Sequence, residues 1–109
     1  MKLGQLRDYA LSLPATAEAP HFDYASFRVK GRIFVTVPPD EAHAHVFVDD
    51  AHREMAVELH PGYVETLLWG QKAAGVRVSL AKAAPEVVFA LVRNAWERKA
   101  PKSLSKAAG

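Results

Sequence analysis

The chain has no cysteine among its 109 residues, which excludes a disulfide framework, a thiolate metal site and a cysteine nucleophile. The absence suits a reducing compartment, and the protein is expected in the cytoplasm. No apolar run approaches the roughly 18 residues of a membrane span, so no membrane role is expected. The opening Met1-Lys2-Leu3-Gly4-Gln5-Leu6-Arg7-Asp8 breaks its apolar positions with charge and reads as neither signal nor transit peptide. There is no Gly-rich strand-to-helix loop to cradle a phosphate, and Ser26 and Ser79 lie in strand patterns without a nucleophile elbow. The adjacent acids Asp40-Glu41 and Asp49-Asp50 have simpler roles as turn and helix cap. The sequence therefore reads as a non-enzyme that needs no cofactor.

What is present is ordinary globular material, 50% hydrophobic and 24% charged, enough for one core. Residues 1–101 are expected to form a single domain, and the basic residues 102–109 a flexible tail. The net charge of +2 is unevenly distributed. Residues 1–68 hold six Lys/Arg and ten Asp/Glu, giving −4, whereas residues 69–109 hold eight and two, giving +6. Segregation of this kind can mark an anionic partner, or merely a solvated basic helix and tail.

Tyr24 to Val48 carries three strand patterns, divided by Lys30-Gly31 and by Pro38-Pro39-Asp40-Glu41. Leu6, Tyr9, Ala10 and Leu13 make one stripe of a first helix that Pro14 ends, and Ala15 to Pro20 reads as a loop. Asp49-Asp50 caps a second helix over Ala51–Leu59 with Met55 and Leu59 as its inward pair; Pro61-Gly62 stops it. Tyr63–Leu68 and Gly75–Leu80 read as two further strands, with Trp69 to Ala74 between them. Pro85 opens the last helix, whose stripe is Val88, Leu91, Val92, Ala95 and Trp96. The order α-β-β-β-α-β-β-α predicts an α+β fold in two layers, with helices mainly on one face of a five-stranded antiparallel sheet.

Strict alternation puts Ile33, Val35 and Val37 on the helix face. The other face then collects Arg28, Lys30, Arg32, Phe34, His45 and Phe47, either an open binding face or a second small core under another segment. Arg28, Lys30, Arg32, Lys72 and Arg77 could contact phosphates, and Phe34 could stack on an unpaired base. The bland alternative buries the rings and leaves the cations solvated. His43 and His45 share a strand face and could hold a metal with His21, His52 or His60, but spacing fixes no acid beside them and no metal site is expected.

One family is similar in its residues. Leu13-Pro14 with Glu18, Pro20, His21 and Phe22, then Ser26-Phe27-Arg28-Val29 and Gly31-Arg32-Ile33-Phe34, resemble the MmcQ/YjbR-like family of small bacterial proteins. So do Pro61-Gly62-Tyr63, Gly75-Val76-Arg77-Val78-Ser79-Leu80 and the run Asn94 to Lys102. Many relatives carry a Trp cluster just before the fifth strand, where this chain has Lys72-Ala73-Ala74-Gly75-Val76. The resemblance implies a twisted five-stranded antiparallel sheet. It also implies DNA binding, by likeness of that sheet to a double-wing DNA-binding module, while a similar layout in secretion chaperones implies binding of protein or peptide segments. Fold likeness alone does not fix function. The expectation is a monomeric DNA-binding or regulatory module, with peptide binding on the same face as the alternative.

Overall fold

Antiparallel strands joined by short turns settle beside their neighbours in the chain, and most of this sheet is built that way. The computed structural model describes residues 1–107. In order they form α1 (Leu3–Ser12), β1 (Thr16–His21), β2 (Tyr24–Val29), β3 (Arg32–Val37) and β4 (His43–Val46). Then come α2 (Asp50–Leu59), β5 (Val64–Trp69), β6 (Lys72–Ser79), α3 (Pro85–Lys99) and α4 (Lys102–Ala107). The sheet is antiparallel throughout, in the order β1-β2-β3-β4-β6-β5. Passage through α2 lets β5 return on the outside of β6. No helix among the described residues is long and apolar enough to cross a membrane.

The sheet has six strands where five were expected. Thr16–His21, which reads as a loop, pairs along its whole length with β2. Its Ala, Glu and Pro residues are poor strand formers, so the ladder to β2 and not local propensity makes it a strand. Pro20 is tolerated because β1 is an edge strand, where a missing amide breaks no ladder on the outer side. Ser26 reinforces the pair: its hydroxyl donates to the Ala19 carbonyl at 2.6 Å.

The core lies between one face of the sheet and helices α1 to α3. Phe27, Val29, Val35, Val37, Val46, Val76 and Val78 meet Leu6, Ala10, Val88, Leu91, Val92 and Trp96, all buried. The α3 stripe expected from spacing is wholly buried. The Trp96 indole donates to the Pro14 carbonyl at 3.1 Å, and Tyr9 stacks on Phe89 with centroids 4.5 Å apart, so α1 is fastened to α3.

Helix α2 is rotated from its expected setting. Met55 and Leu59 are 60% and 63% exposed, and Ala56 is the buried residue, where α2 packs on β5 and β6. The rotation is fixed at its first turn. The Asp49 carboxylate accepts from the His52 amide at 2.8 Å and from the Asn94 side-chain amide at 3.2 Å, while the Asp49 N–H donates to the Asn94 oxygen at 3.1 Å. These contacts tie the start of α2 to α3, a constraint from outside the helix that its own apolar spacing does not carry. The stretch Lys102–Ala107, read as tail, forms a short helix, and the last two residues of that tail lie outside the described residues.

The His52 amide, followed by the side chains of His52 and Asn94, lowers the Asp49 pKa to about 2. A depressed carboxylate stabilises the fold above its ordinary value of 3.8, and the contribution disappears as pH falls towards 2. Asp49→Ala is expected to lower stability to urea at pH 7 by about 1–2 kcal/mol. The gap to the unsubstituted protein should close between pH 4 and pH 2; a gap that stays constant with pH would contradict the cap.

Candidate functional site

A twisted sheet with helices on one face leaves the other concave along a diagonal, because accumulated strand twist bends opposite corners towards the same side. Two turns occupy such corners here. The β1–β2 turn, Phe22-Asp23, lies beside the Val37 end of β3, since Ala25 pairs with Val37. The β5–β6 hairpin tip is on the opposite edge and at the opposite end, past the pairing of Val46 with Val76. Both tips line one open groove of about 730 Å³.

The floor of the groove is the face that alternates with the core. Thr36 and His45, neighbours across β3 and β4, lie there with Ile33 and Phe47. Tyr24 and Phe22 form one lip, and Trp69, Lys72, Ala73 and Ala74 the other. Arg98 and Lys99 close the groove from the end of α3. Phe22 is 91% exposed and Trp69 63%, the latter leaning on Phe47 with ring centroids 5.2 Å apart. Gly75 permits this crossing: an added Cβ would sit 2.3 Å from the Val46 carbonyl oxygen, too close for any side chain.

The groove is cationic. Lys72, Arg98 and Lys99 line it against a single acid, Asp23. Arg98 donates from one nitrogen to the carbonyls of Phe47 at 2.7 Å and Val48 at 2.8 Å, which anchors it where β4 leaves the sheet. Burial, then the positive charges of Arg98 and Arg32, push the Lys99 pKa below its ordinary value. His45 is only 8% exposed, and burial followed by the Arg77 charge lowers its pKa, which favours the neutral ring. Its Nε2 lies 3.5 Å from an Arg77 nitrogen that can only donate, so Nε2 acts as the acceptor there. A neutral imidazole, a Thr hydroxyl and three cations can bind an anionic, hydrogen-bonding ligand.

Of the six residues expected to contact nucleic acid, the groove gathers only Lys72; His21, and His45 and Phe47 of the expected face, line it as well. Arg28 folds back, donating to the Ser26 hydroxyl at 3.1 Å and to the Pro20 carbonyl at 3.2 Å. Lys30 takes a left-handed conformation, φ 50°, in the β2–β3 turn, and Arg32 follows it on the exposed end of β3. Arg77 pairs with Glu65 at 3.4 Å. His43 contacts Asp40 at 2.9 Å while His45 faces Arg77, so the two histidines have separate partners.

Phe34 cannot act as a stacking platform, because it is completely buried in the core. A bulge is responsible. Phe27 pairs with Val35 but Arg28 pairs with Ile33, so Phe34 is an extra residue opposite β2, and strict alternation fails there. The bulge sends Phe34 inward and Ile33 to the groove, while the Phe34 carbonyl accepts the Phe47 amide at 3.1 Å. Sequence reasoning missed the aromatic lips and the α3 cations. Trp69 to Ala74 read as the stretch between two strands, but Lys72 to Ala74 belong to β6 and Trp69 to β5, which leaves Gly70-Gln71 as a tight turn. A two-residue connection with glycine is a hairpin signal that could have found it.

Comparison with known proteins gives a family and a fold. The family model described as YjbR matches residues 11–98. The crystal structure of Deinococcus radiodurans protein DR2400, described as a DUF419 domain, is similar with a TM-score of 0.77. It covers 97% of this chain and 86% of that one at 22% identity, a likeness that concerns the fold. No curated protein matches.

Because the bulge makes Phe34 a core residue, Phe34→Ala is expected to destabilise the protein by about 3–5 kcal/mol in chemical denaturation. A loss under about 1 kcal/mol, typical of a surface position, would contradict the inward ring.

Proposed function

The chain belongs to the YjbR family, and from that premise we propose that it is a nucleic-acid-binding, regulatory module that takes a single-stranded segment in the groove. The observation that carries the reading is the pairing of exposed Phe22 and Trp69 on the lips with Lys72, Arg98 and Lys99 against one acid. Unpaired bases present flat faces and regularly spaced anions. Stacking on an aromatic ring contributes about 1–3 kcal/mol per base, and phosphate contacts add a salt-dependent attraction. A duplex fits less well, since its phosphates need cations spread along a surface, whereas Lys72 and Lys99 stand together in one groove. A peptide groove would need a contiguous apolar floor with acids around it. Here Phe34 and Phe47 are buried, and His45 and Thr36 share the floor. The reading places the protein in the cytoplasm as a monomer.

Fluorescence anisotropy of labelled oligothymidylate, titrated at salt from about 50 to 200 mM, tests it. Affinity should fall log-linearly with salt, and single strands should bind more tightly than duplex of the same length. Lys72→Ala with Lys99→Ala should weaken binding and lower the salt slope by about one per lysine. No binding at about 50 mM salt, where phosphate contacts are strong, would sink the proposal and favour a peptide ligand.

A further inference from the structure

The β1–β2 hairpin is closed by the pair His21 and Tyr24, which leaves Phe22 and Asp23 as its two turn residues. Only Phe22 of the two has a positive φ, 58°. A two-residue hairpin turn with φ > 0 at its first central position is normally given glycine there, because a Cβ in that conformation is crowded by its own backbone. Among the described residues, the other non-glycine positions with positive φ are Ala15, Lys30 and Glu41, which are small or polar. Phe22 is the aromatic among them.

The fold gains little in return. The ring is 91% exposed, and its aromatic contact is edge-on with His21 at 4.9 Å between centroids. A bulky apolar residue thus holds a strained backbone and leaves its ring in water, two unfavourable terms at one position. Glycine would relieve both. Strain kept without a structural gain points to a contact that forms only with a ligand.

The surroundings say which ligand. Phe22 stands on a ridge between the cationic groove and a second groove of about 420 Å³. The second carries Glu18, Asp23 and Glu41, and its cation Arg7 already pairs with Glu18 at 3.0 Å, so phosphate is disfavoured there. Across the cationic groove the other lip presents Trp69, with Lys72 beside it and Lys99 at the end. Ring, cations, ring is the sequence of contacts that a short single strand of bases and phosphates would meet.

We propose that Phe22 is a ligand-contact residue, a terminal stacking platform that caps a single-stranded segment entering at Trp69, and that the fold gives up stability to keep it there. The inference rests on the nucleic-acid reading above and names the residue that ends the bound segment.

Phe22→Gly, Phe22→Leu and Phe22→Tyr separate the roles, with labelled oligothymidylate of about ten nucleotides, inside the usual range of site sizes, as the probe. Phe22→Gly should melt at the same temperature as the unsubstituted protein or higher, and should bind about tenfold or more weakly, as the loss of one stacked base requires. Phe22→Tyr should retain affinity, and Phe22→Leu, apolar but without a π-face, should lose it. Equal affinity of Phe22→Gly and the unsubstituted protein would overturn the role of Phe22 while leaving the groove reading intact. A lower melting temperature for Phe22→Gly would overturn it too, by showing that the ring serves the fold. Full affinity in Phe22→Leu would replace stacking with plain apolar contact. Failure of the unsubstituted protein to bind would overturn both readings.

Discussion

Twist in a sheet covered on one side only is the constraint from which the site follows. Helices α1 to α3 bury one face, so each residue that alternates with Val35, Val46 and Val76 must either face water or roof itself. Strand twist rules out a flat open face and bends two diagonal corners inward. The corners are turns, and turns are where side chains can stand clear of the ladder. A groove between Phe22 and Trp69 is the geometric result; two of its cations come from the end of α3 and the third, Lys72, from β6. Arg98 satisfies the carbonyls of Phe47 and Val48 there.

The legible parts of the fold were those in which a local period matches the environment. Val76, Val78 and Leu80 alternate in sequence and are buried, and the stripe of α3 is buried throughout. Three features escaped for definite reasons. Strand β1 is held by its partner, and Thr-Ala-Glu-Ala-Pro-His carries no strand signal of its own. The bulge at Phe34 is a change of backbone count that leaves no trace in residue type, yet it exchanges the faces of Ile33 and Phe34. The setting of α2 is decided by the link between Asp49 and Asn94, which lie 45 residues apart.

The site was less legible than the fold. Cations that are close in sequence, Arg28, Lys30 and Arg32, are spread by the bulge, by a turn and by intramolecular partners. The groove instead joins residues from Phe22 to Lys99, and only the sheet's topology brings them together. The family resemblance pointed to an antiparallel α+β sheet, one strand short of the six present, without locating the groove. Trp69 reaches the groove from β5, the strand beside the last one, and leans on Phe47.

The central claim, that the groove rather than any other surface receives a single strand, is tested most directly by mapping amide and indole NMR shifts during an oligothymidylate titration. The two tryptophans provide the contrast: Trp69 lies on a lip, and Trp96 is buried with its indole bonded to the Pro14 carbonyl. The account predicts that the Trp69 indole and the amides of Tyr24, Thr36, His45 and Lys72 shift together while the Trp96 indole stays in place. Shifts concentrated on α2 or around Arg28, with Trp69 unmoved, would contradict it.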